Sequence, residues 1–489
     1  MTELSSRQRS LVLAICCASM IVVVMDISIV NTALPTIHRS LDASVTGLQW
    51  TVDAYTLVLA SFLLLAGSTA DRVGRKRVFQ IGLVAFGLGS LLCGLASNTE
   101  WLIAARAIQA VGGTMLNPVA MAIIATTFTV PAERAKAIGV FGSMSGLSLA
   151  LGPILGGALV DAFGWRSIFW INVPIVIIAA VLTTLYVPES RAPRARRFDP
   201  VGQLLVVLVL GGVVYAIIEA NRYGWTSPEI LVLLAVAALS AAVLIAYESR
   251  RTDPLLELRL FRSVPFSSAI LMALFALCAF GAFLFVTTLY LQNVRGMSAL
   301  QAGLSLLPVG ALIALLSPYT GKLVGARGPR LPLVVSGTAL AAGGVLSLLI
   351  EPATPLVLVL AIYLLFGVFQ GTINPPITNT AVSGMPRSMA GVATSLASAG
   401  RQTGTTLGVA IAGAIVGSVS GGTAFTDSER GVWWMVAGLG AGILLLGLIS
   451  TGAWAKGTAA RAAELFEEVD RGAPAPDPGR GTQVAGERR

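Results

Sequence analysis

Long uninterrupted apolar runs recur from one end of this chain to the other, and no other feature restricts its fold as much. Each approaches the roughly 20 residues that a helix needs to cross the hydrocarbon of a bilayer, and only short polar segments separate them. A membrane barrel would instead show segments of about 10 residues that alternate in hydrophobicity. Inside a bilayer the backbone must satisfy its own hydrogen bonds, so these runs predict transmembrane α-helices. Charge agrees: 12% of residues are Asp, Glu, Lys or Arg, against about 25% in soluble domains, and mean hydropathy is +0.82.

Run length places about 14 spans, near 11–34, 47–68, 78–97, 102–126, 137–160, 167–187, 201–219, 229–247, 266–290, 301–324, 331–350, 355–376, 389–417 and 431–454. With the N-terminus placed inside, 26 of the 33 Lys and Arg fall in cytoplasmic segments. Five (Arg39, Arg166, Arg222, Arg295, Arg430) fall outside, and two (Arg106, Arg401) lie within spans. The positive-inside rule therefore predicts that both termini are cytoplasmic. Basic loops also account for the net charge of +9 without nucleic acid as a partner. Cys16, Cys17, Cys93 and Cys278 all lie in apolar runs and read as small core residues. A lone histidine, His38, leaves no histidine-based metal or catalytic cluster, and no cofactor is expected. The run Leu11 to Leu34 is too long for the apolar core of a cleaved signal.

Three landmarks repeat at a nearly constant displacement. Gly67 and Gly321 head charged segments 254 residues apart, Asn117-Pro118 recurs 257 residues later as Asn374-Pro375, and Gly152 and Gly404 are 252 apart in two glycine-rich spans. Such spacing implies a duplicated six-helix unit with the same sense in the membrane, a parallel repeat. Two spans remain, 201–219 and 229–247, and they fall between the halves. The expected organisation is a six-helix bundle over 1–190, two additional central helices in 191–262, a second six-helix bundle over 263–455, and a tail over 456–489. That tail reads as a short amphipathic helix followed by a disordered Pro/Gly-rich end.

Between the second and third spans stands Gly67-Ser-Thr-Ala-Asp-Arg-Val-Gly-Arg-Lys-Arg-Val. It resembles the loop of the major facilitator superfamily, Gly-x-Leu-x-Asp-Arg-x-Gly-Arg-Arg/Lys. The first span carries Met25-Asp-Ile-Ser-Ile-Val-Asn-Thr-Ala-Leu-Pro35, similar to the first-span signature of that superfamily's 14-span drug–proton antiporters, with Ser28 in place of threonine. The fourth span's Arg106-Ala-Ile-Gln-Ala-Val-Gly resembles Arg-x-x-Gln-Gly-x-Gly, with Ala110 for the first glycine. In the fifth span Gly146 precedes Gly152-Pro153-Ile-Leu-Gly156-Gly157, and Trp165-Arg-Ser-Ile-Phe-Trp-Ile-Asn-Val-Pro174 follows. This string matches the signature that separates antiporting exporters from symporters, and is the most specific of the four.

Physical chemistry gives these positions roles. A carboxylate as deep as Asp26 costs several kcal/mol unless it faces water, pairs or takes a proton. It is either a hydrogen-bonded structural acid or, as preferred, the main proton-coupling group. Asp53 reads as an interfacial acid or as a relay to Asp26. Arg106 never deprotonates, so it acts by holding a nearby carboxylate ionised. Gly67, Asp71, Arg72, Gly74, Arg75 and Lys76 would form a conformational latch, with Asp71 facing a helix N-terminus or a basic group of the opposite half. Small residues at 146, 152, 156 and 157 let helices approach closely, and Pro153 introduces a kink. In the second half Gly325 stands where Asp71 stands in the first, and Gly281-Ala282 where Asp26 stands. The charge machinery is thus placed in the first half, and the second half is given the substrate wall. Asn31, Tyr290, Gln292 and Asn374 are the polar candidates for the cavity, with Gln301 beside them. Arg401 has no evident acidic partner, and both helix-end anchoring and function stay open for it.

The resemblance implies an all-α integral membrane protein that is not an enzyme. It would be a monomeric bacterial inner-membrane exporter that exchanges external protons for lipophilic, often cationic drugs or antibiotics. A nutrient symporter or a lipophile flippase on the same fold is the alternative. No phosphate-binding loop is present, so ATP is not the direct fuel.

Overall fold

Each predicted apolar run forms a helix, and small polar residues decide where many of them start. Ser5, Ser44, Asn98, Ser227 and Ser263 accept a backbone N–H of the first turn that follows them, which satisfies a donor that the helix itself cannot. The computed structural model describes residues 5–191, 199–251, 257–383, 389–417 and 422–472. In chain order the first half holds α1 (Ser6–Leu41), α2 (Val45–Val73), α3 (Arg75–Gly94), α4 (Thr99–Thr127), α5 (Pro131–Phe163) and α6 (Asn172–Tyr186). A short turn at Ser167–Trp170 leads into α6. Next come α7 (Pro200–Tyr223) and α8 (Pro228–Glu248). The second half holds α9 (Val264–Leu289), α10 (Leu307–Arg327), α11 (Arg330–Ser347), α12 (Leu356–Val382), α13 (Ala390–Val416) and α14 (Gly422–Ser450), with a short helix Ala299–Ser305 ahead of α10. Helix α15 (Ala453–Gly472) forms where the tail was expected to be amphipathic; positions 473–489, expected to be disordered, lie outside the described residues.

Among the described residues, eleven helices are long and apolar enough to cross a membrane, or twelve if Val45–Leu63 and Leu65–Val73 form one bent span. This is a multi-pass membrane protein. Its outer surface fits that medium, with Ile81, Leu88, Ile178, Leu185, Val232 and Leu239 exposed along helix faces.

The helices before and after the central pair pack by the same scheme. In the first half α1 packs on α5, α2 on α4, and α3 on both α4 and α6. The second half repeats the scheme, with α9 on α13, α10 on α12, and α11 on both α12 and α14. The halves meet where α2 packs on α13 and where α5 packs on Ala299–Ser305 and α10. Helices α7 and α8 pack on each other, and α7 also sits on α2 and α13 at the seam. There Trp50 Nε1 donates to Glu219 Oε1 at 2.9 Å.

Gly89 and Gly112 let α3 and α4 approach closely. A Cβ on Gly112 would lie 2.2 Å from the Phe86 nitrogen, and one on Gly89 would lie 2.4 Å from the Gln109 Cα. Substitution of Ala110 for the usual glycine therefore does not keep α4 from α3, because the contact falls two residues later.

One apolar core runs through the second half and continues into the first through Met25, Ile29, Val30, Leu34, Trp165 and Phe169. The rest of the first half has a separate core around Val12, Phe79, Phe86, Leu116 and Ile123. Among the described residues, the shared core thus joins the two halves at the end remote from the charged loop at Asp71.

Candidate functional site

Between the halves lies a cavity of about 1910 Å³, well above the 300–1,000 Å³ of ordinary ligand sites. Its wall is mostly apolar and includes Met20, Met121, Met144, Phe141, Phe280 and Leu284. The cavity reaches the end that carries the charged loop, where Gly67, Asp71, Gly321 and Gly325 line it. A Cβ on Gly67, Gly139, Gly142, Gly321 or Gly325 would meet nothing within 4 Å. That end is open.

Hydrogen bonds between the halves close the other end. Asp161, in the last turn of α5, accepts from Ser298 Oγ at 2.7 Å, from the Leu300 nitrogen at 3.0 Å and from the Ala299 nitrogen at 3.2 Å. Its carboxylate thus caps the short helix Ala299–Ser305 of the opposite half, a favourable place for negative charge. Gln49 Nε2 donates to the Ala410 carbonyl at 2.9 Å, and Gln292 Nε2 donates to the Thr32 carbonyl at 2.8 Å. Backbones nearly touch here: a Cβ on Gly157 would lie 2.5 Å from the Ala299 oxygen, and one on Gly303 would lie 2.1 Å from the Pro153 oxygen.

A third feature is a polar cluster sealed inside the first half. Arg106 Nη1 pairs with Asp26 Oδ2 and donates to Gln109 Oε1 at 2.6 Å, while Arg106 Nε donates to the Thr51 carbonyl at 3.1 Å. The other carboxylate oxygen, Asp26 Oδ1, accepts from Gln109 Nε2 at 2.8 Å and from Asn172 Nδ2 at 3.1 Å. The guanidinium lies over the Tyr55 ring at 4.1 Å. Asp26 is 0% and Arg106 1% exposed. A buried ion pair survives when further hydrogen bonds satisfy both partners, and here they do.

Residues 16–409 match the profile of the Major Facilitator Superfamily. The chain belongs to that superfamily. It is 39% identical over 386 residues to the multidrug resistance protein Stp of Mycobacterium tuberculosis, covering 79% of this chain and 72% of that one. It is 35% identical over 422 residues to the methylenomycin A resistance protein of Streptomyces coelicolor, covering 85% and 88%. Among solved structures it resembles the peptide transporter POT, bound to sulfate, with a TM-score of 0.64 at 13% identity over 93% of this chain and 95% of that one. Sequence kinship and packing scheme agree on a major facilitator transporter rather than an enzyme.

Several expectations for this member of the superfamily need correction. Asp26, read as either a structural acid or the coupling group, does not line the cavity, and its carboxylate is paired with Arg106. Asp53 is not a solvated interfacial acid but fully buried, with Oδ2 unpartnered and Thr56 Oγ1 donating to Oδ1 at 3.4 Å. No described bond links it to Asp26. Asp71 pairs with Arg75 on its own segment at 2.8 Å, not with the opposite half. The rest of the loop is also tied within the first half. The Arg75 nitrogen donates to the Ser190 carbonyl at 2.9 Å, the Lys76 nitrogen to Glu189 Oε1 at 3.1 Å, and Lys76 Nζ to the Thr184 carbonyl at 2.8 Å. Gly74 has φ +127°, and a Cβ there would lie 2.7 Å from the Glu189 carboxylate, so this turn requires glycine. Arg72 is exposed.

Of the cavity candidates, Asn31 and Asn374 do line it. Tyr290 does not: it is buried near the closed end and its hydroxyl donates to the Glu351 carbonyl at 2.9 Å. Gln292 is likewise committed to the closed end, and Gln301 closes a capping box with Ser298. In the glycine-rich span, Gly152 and Gly156 pack on Ser28 and Ile29 of α1, whereas Gly157 meets the other half. Gly146 lies in α5, but its surroundings fall outside the described residues.

Sequence reasoning missed the residues that act across helices. Gln109 was visible three positions after Arg106, on its face. Asp161 carried a signal too, because an acid in the last turn of a helix opposes the dipole and needs a partner elsewhere. The second half is not without charge: Glu429 in α14 is 1% exposed, and Arg401 lines the cavity from α13.

Proposed function

We propose that this chain is a proton-driven exporter of lipophilic drugs or antibiotics, working by alternating access. The observation that carries this reading is the asymmetry of the cavity: large, mostly apolar, open at one end, and closed at the other by bonds between two repeated bundles. The resistance relatives support the outward direction and the substrate class. The positive-inside distribution makes the open end cytoplasmic, so the state described receives cargo from inside, and both termini lie there as well. The spans number 14: α5 (33 residues) and α13 (27 residues) also cross, each being long enough to traverse the hydrocarbon. The units then run over 1–190, 191–262, 263–455 and 456–489, with α7 and α8 as the inserted pair. A bacterial inner-membrane monomer is the expected form.

For coupling, Asp26 and Arg106 tie α1 to α4 as a buried ion pair, while Asp53 is the carboxyl left to exchange a proton. Burying a carboxylate without a counter-charge costs more than protonating it. Asp53 sits on α2, which packs directly on α13 of the other half, so any movement of the halves changes its surroundings. The latch segment 67–77 closes the cytoplasmic end in the opposite state, releasing Asp71 from Arg75 as it does so.

Efflux from proteoliposomes under an imposed pH gradient tests this. Export should follow the gradient, and a protonophore should abolish it. Export that is indifferent to the gradient would refute proton coupling.

A further inference from the structure

Among the described residues that line the cavity, three are ionisable: Asp71, Asp199 and Arg401. Both acids stand at its edge and are already neutralised, Asp71 by Arg75 at 2.8 Å and Asp199 by Arg251 at 3.1 Å. Arg401 is different. It projects from the middle of α13, donates from Nη2 to Ser398 Oγ at 3.0 Å, and forms no salt bridge among the described residues. A guanidinium stays charged in proteins and offers five donors in a planar fork that matches a carboxylate. Within a mostly apolar wall it lacks the counter-ion that charges in membranes normally find.

Polar groups in the same wall complete the picture. Asn31 Oδ1, Asn117 Oδ1 and Gln370 Oε1 are buried and have no hydrogen-bond partner, and all three residues line the cavity. Unsatisfied buried acceptors cost free energy that a bound donor recovers. The site thus offers one uncompensated cation, several amide groups seeking donors, and a large apolar surface.

We infer that Arg401 is the anion-recognising centre of the transport site. The favoured cargo is an amphipathic weak acid: an apolar or aromatic body bearing a carboxylate or an ionised phenol or enol for Arg401, and a hydroxyl or N–H for the amides. This rests on the export reading above and narrows its substrate class. A cationic cargo would face the unpaired guanidinium without an uncommitted carboxylate among the described residues of the cavity wall.

The test uses the full chain in lipid nanodiscs and three probes that share one body: pyrene carboxylate, pyrene methanol and pyrene methylammonium. Charge-assisted hydrogen bonds contribute about 1.5–3 kcal/mol, so the wild type should bind the carboxylate about tenfold to a hundredfold more tightly than the alcohol, and the ammonium most weakly. Arg401→Gln should bring the carboxylate to the level of the alcohol, and Arg401→Lys should keep part of the preference. Ser398→Asp keeps the guanidinium but supplies a carboxylate beside it, and should erase the preference even if Arg401→Gln does not fold. Equal binding of the three probes by the wild type, or an intact carboxylate preference in both Arg401→Gln and Ser398→Asp, would overturn the assignment. Gradient-driven efflux of pyrene methanol is followed in parallel. Selective binding without efflux sinks the export reading and leaves the anion site standing; efflux of the alcohol without carboxylate preference does the reverse.

Discussion

Removing the Asp161 carboxylate should open the closed end of the bundle. In Asp161→Ala three donors of the opposite half, Ser298 Oγ and the nitrogens of Ala299 and Leu300, lose their acceptor. Charged hydrogen bonds are each worth about 1.5–3 kcal/mol when buried, but Asp161 is exposed, and screening cuts such values severely. Ser298 also still caps its helix by accepting from the Gln301 nitrogen. A net loss of about 2 kcal/mol is therefore reasonable, which shifts the balance of states about thirtyfold toward the one open at this end. Spin labels at Phe163→Cys and Leu349→Cys, with the four native cysteines replaced, would report the distance across that end. Asp161→Ala should raise the long-distance population and slow the return to the closed form, and Asp161→Asn should do so by less. An unchanged distance distribution would refute the idea that this carboxylate holds the halves together.

Four further outcomes follow from the geometry. Asp26→Asn leaves Arg106 buried without its counter-charge and should cost about 3–5 kcal/mol of stability, whereas Asp26→Asn with Arg106→Gln should recover most of it in thermal unfolding; equal melting of the single and double variants would contradict the pairing. Asp53→Asn strands no cation, so stability should change by about 1 kcal/mol or less; pH-gradient efflux should stop while substrate exchange across equal pH persists. Gly157→Ala drives a Cβ into backbone of the other half, and with overpacking worth about 1–3 kcal/mol it should raise cysteine accessibility at the closed end, while Gly156→Leu should chiefly destabilise the first bundle by colliding with Ile29. Asp71→Asn should leave insertion and melting nearly unchanged, within about 1 kcal/mol, yet slow transport; wild-type turnover would remove the latch.

Much of the architecture was legible because it rests on composition along one segment at a time. Apolar run length locates the helices, and the landmark offsets locate the duplication, since both are properties of local sequence. The character of Asp26 and Arg106 was also legible, because a charge inside an apolar run is anomalous wherever its partner lies. Partnership itself was not. Asp26 and Arg106 are 80 positions apart, and only the stacking of α1 on α4 brings them together. The same limit explains Tyr290 and Gln292: polar residues at the end of α9 look alike whether that end opens or closes, and here it closes. Asp53 looked solvated by its position near a helix start, but tertiary packing leaves it fully buried. Arg401 looked unpaired, which proved informative once its place on the cavity wall was known.

The glycines that line the open mouth have a consequence for how variants of this protein would be judged. Gly67, Gly139, Gly142, Gly321 and Gly325 touch nothing that a methyl group would disturb, so Gly325→Ala passes any stability screen made on this conformation. If these surfaces come together when the mouth shuts, the same methyl group is paid for only in that later conformation, as a turnover defect in a protein that melts normally. A thermal scan and a transport assay would then rank the same substitutions in different orders. The residues on which they disagree would map the half of the cycle that a single conformation leaves unseen.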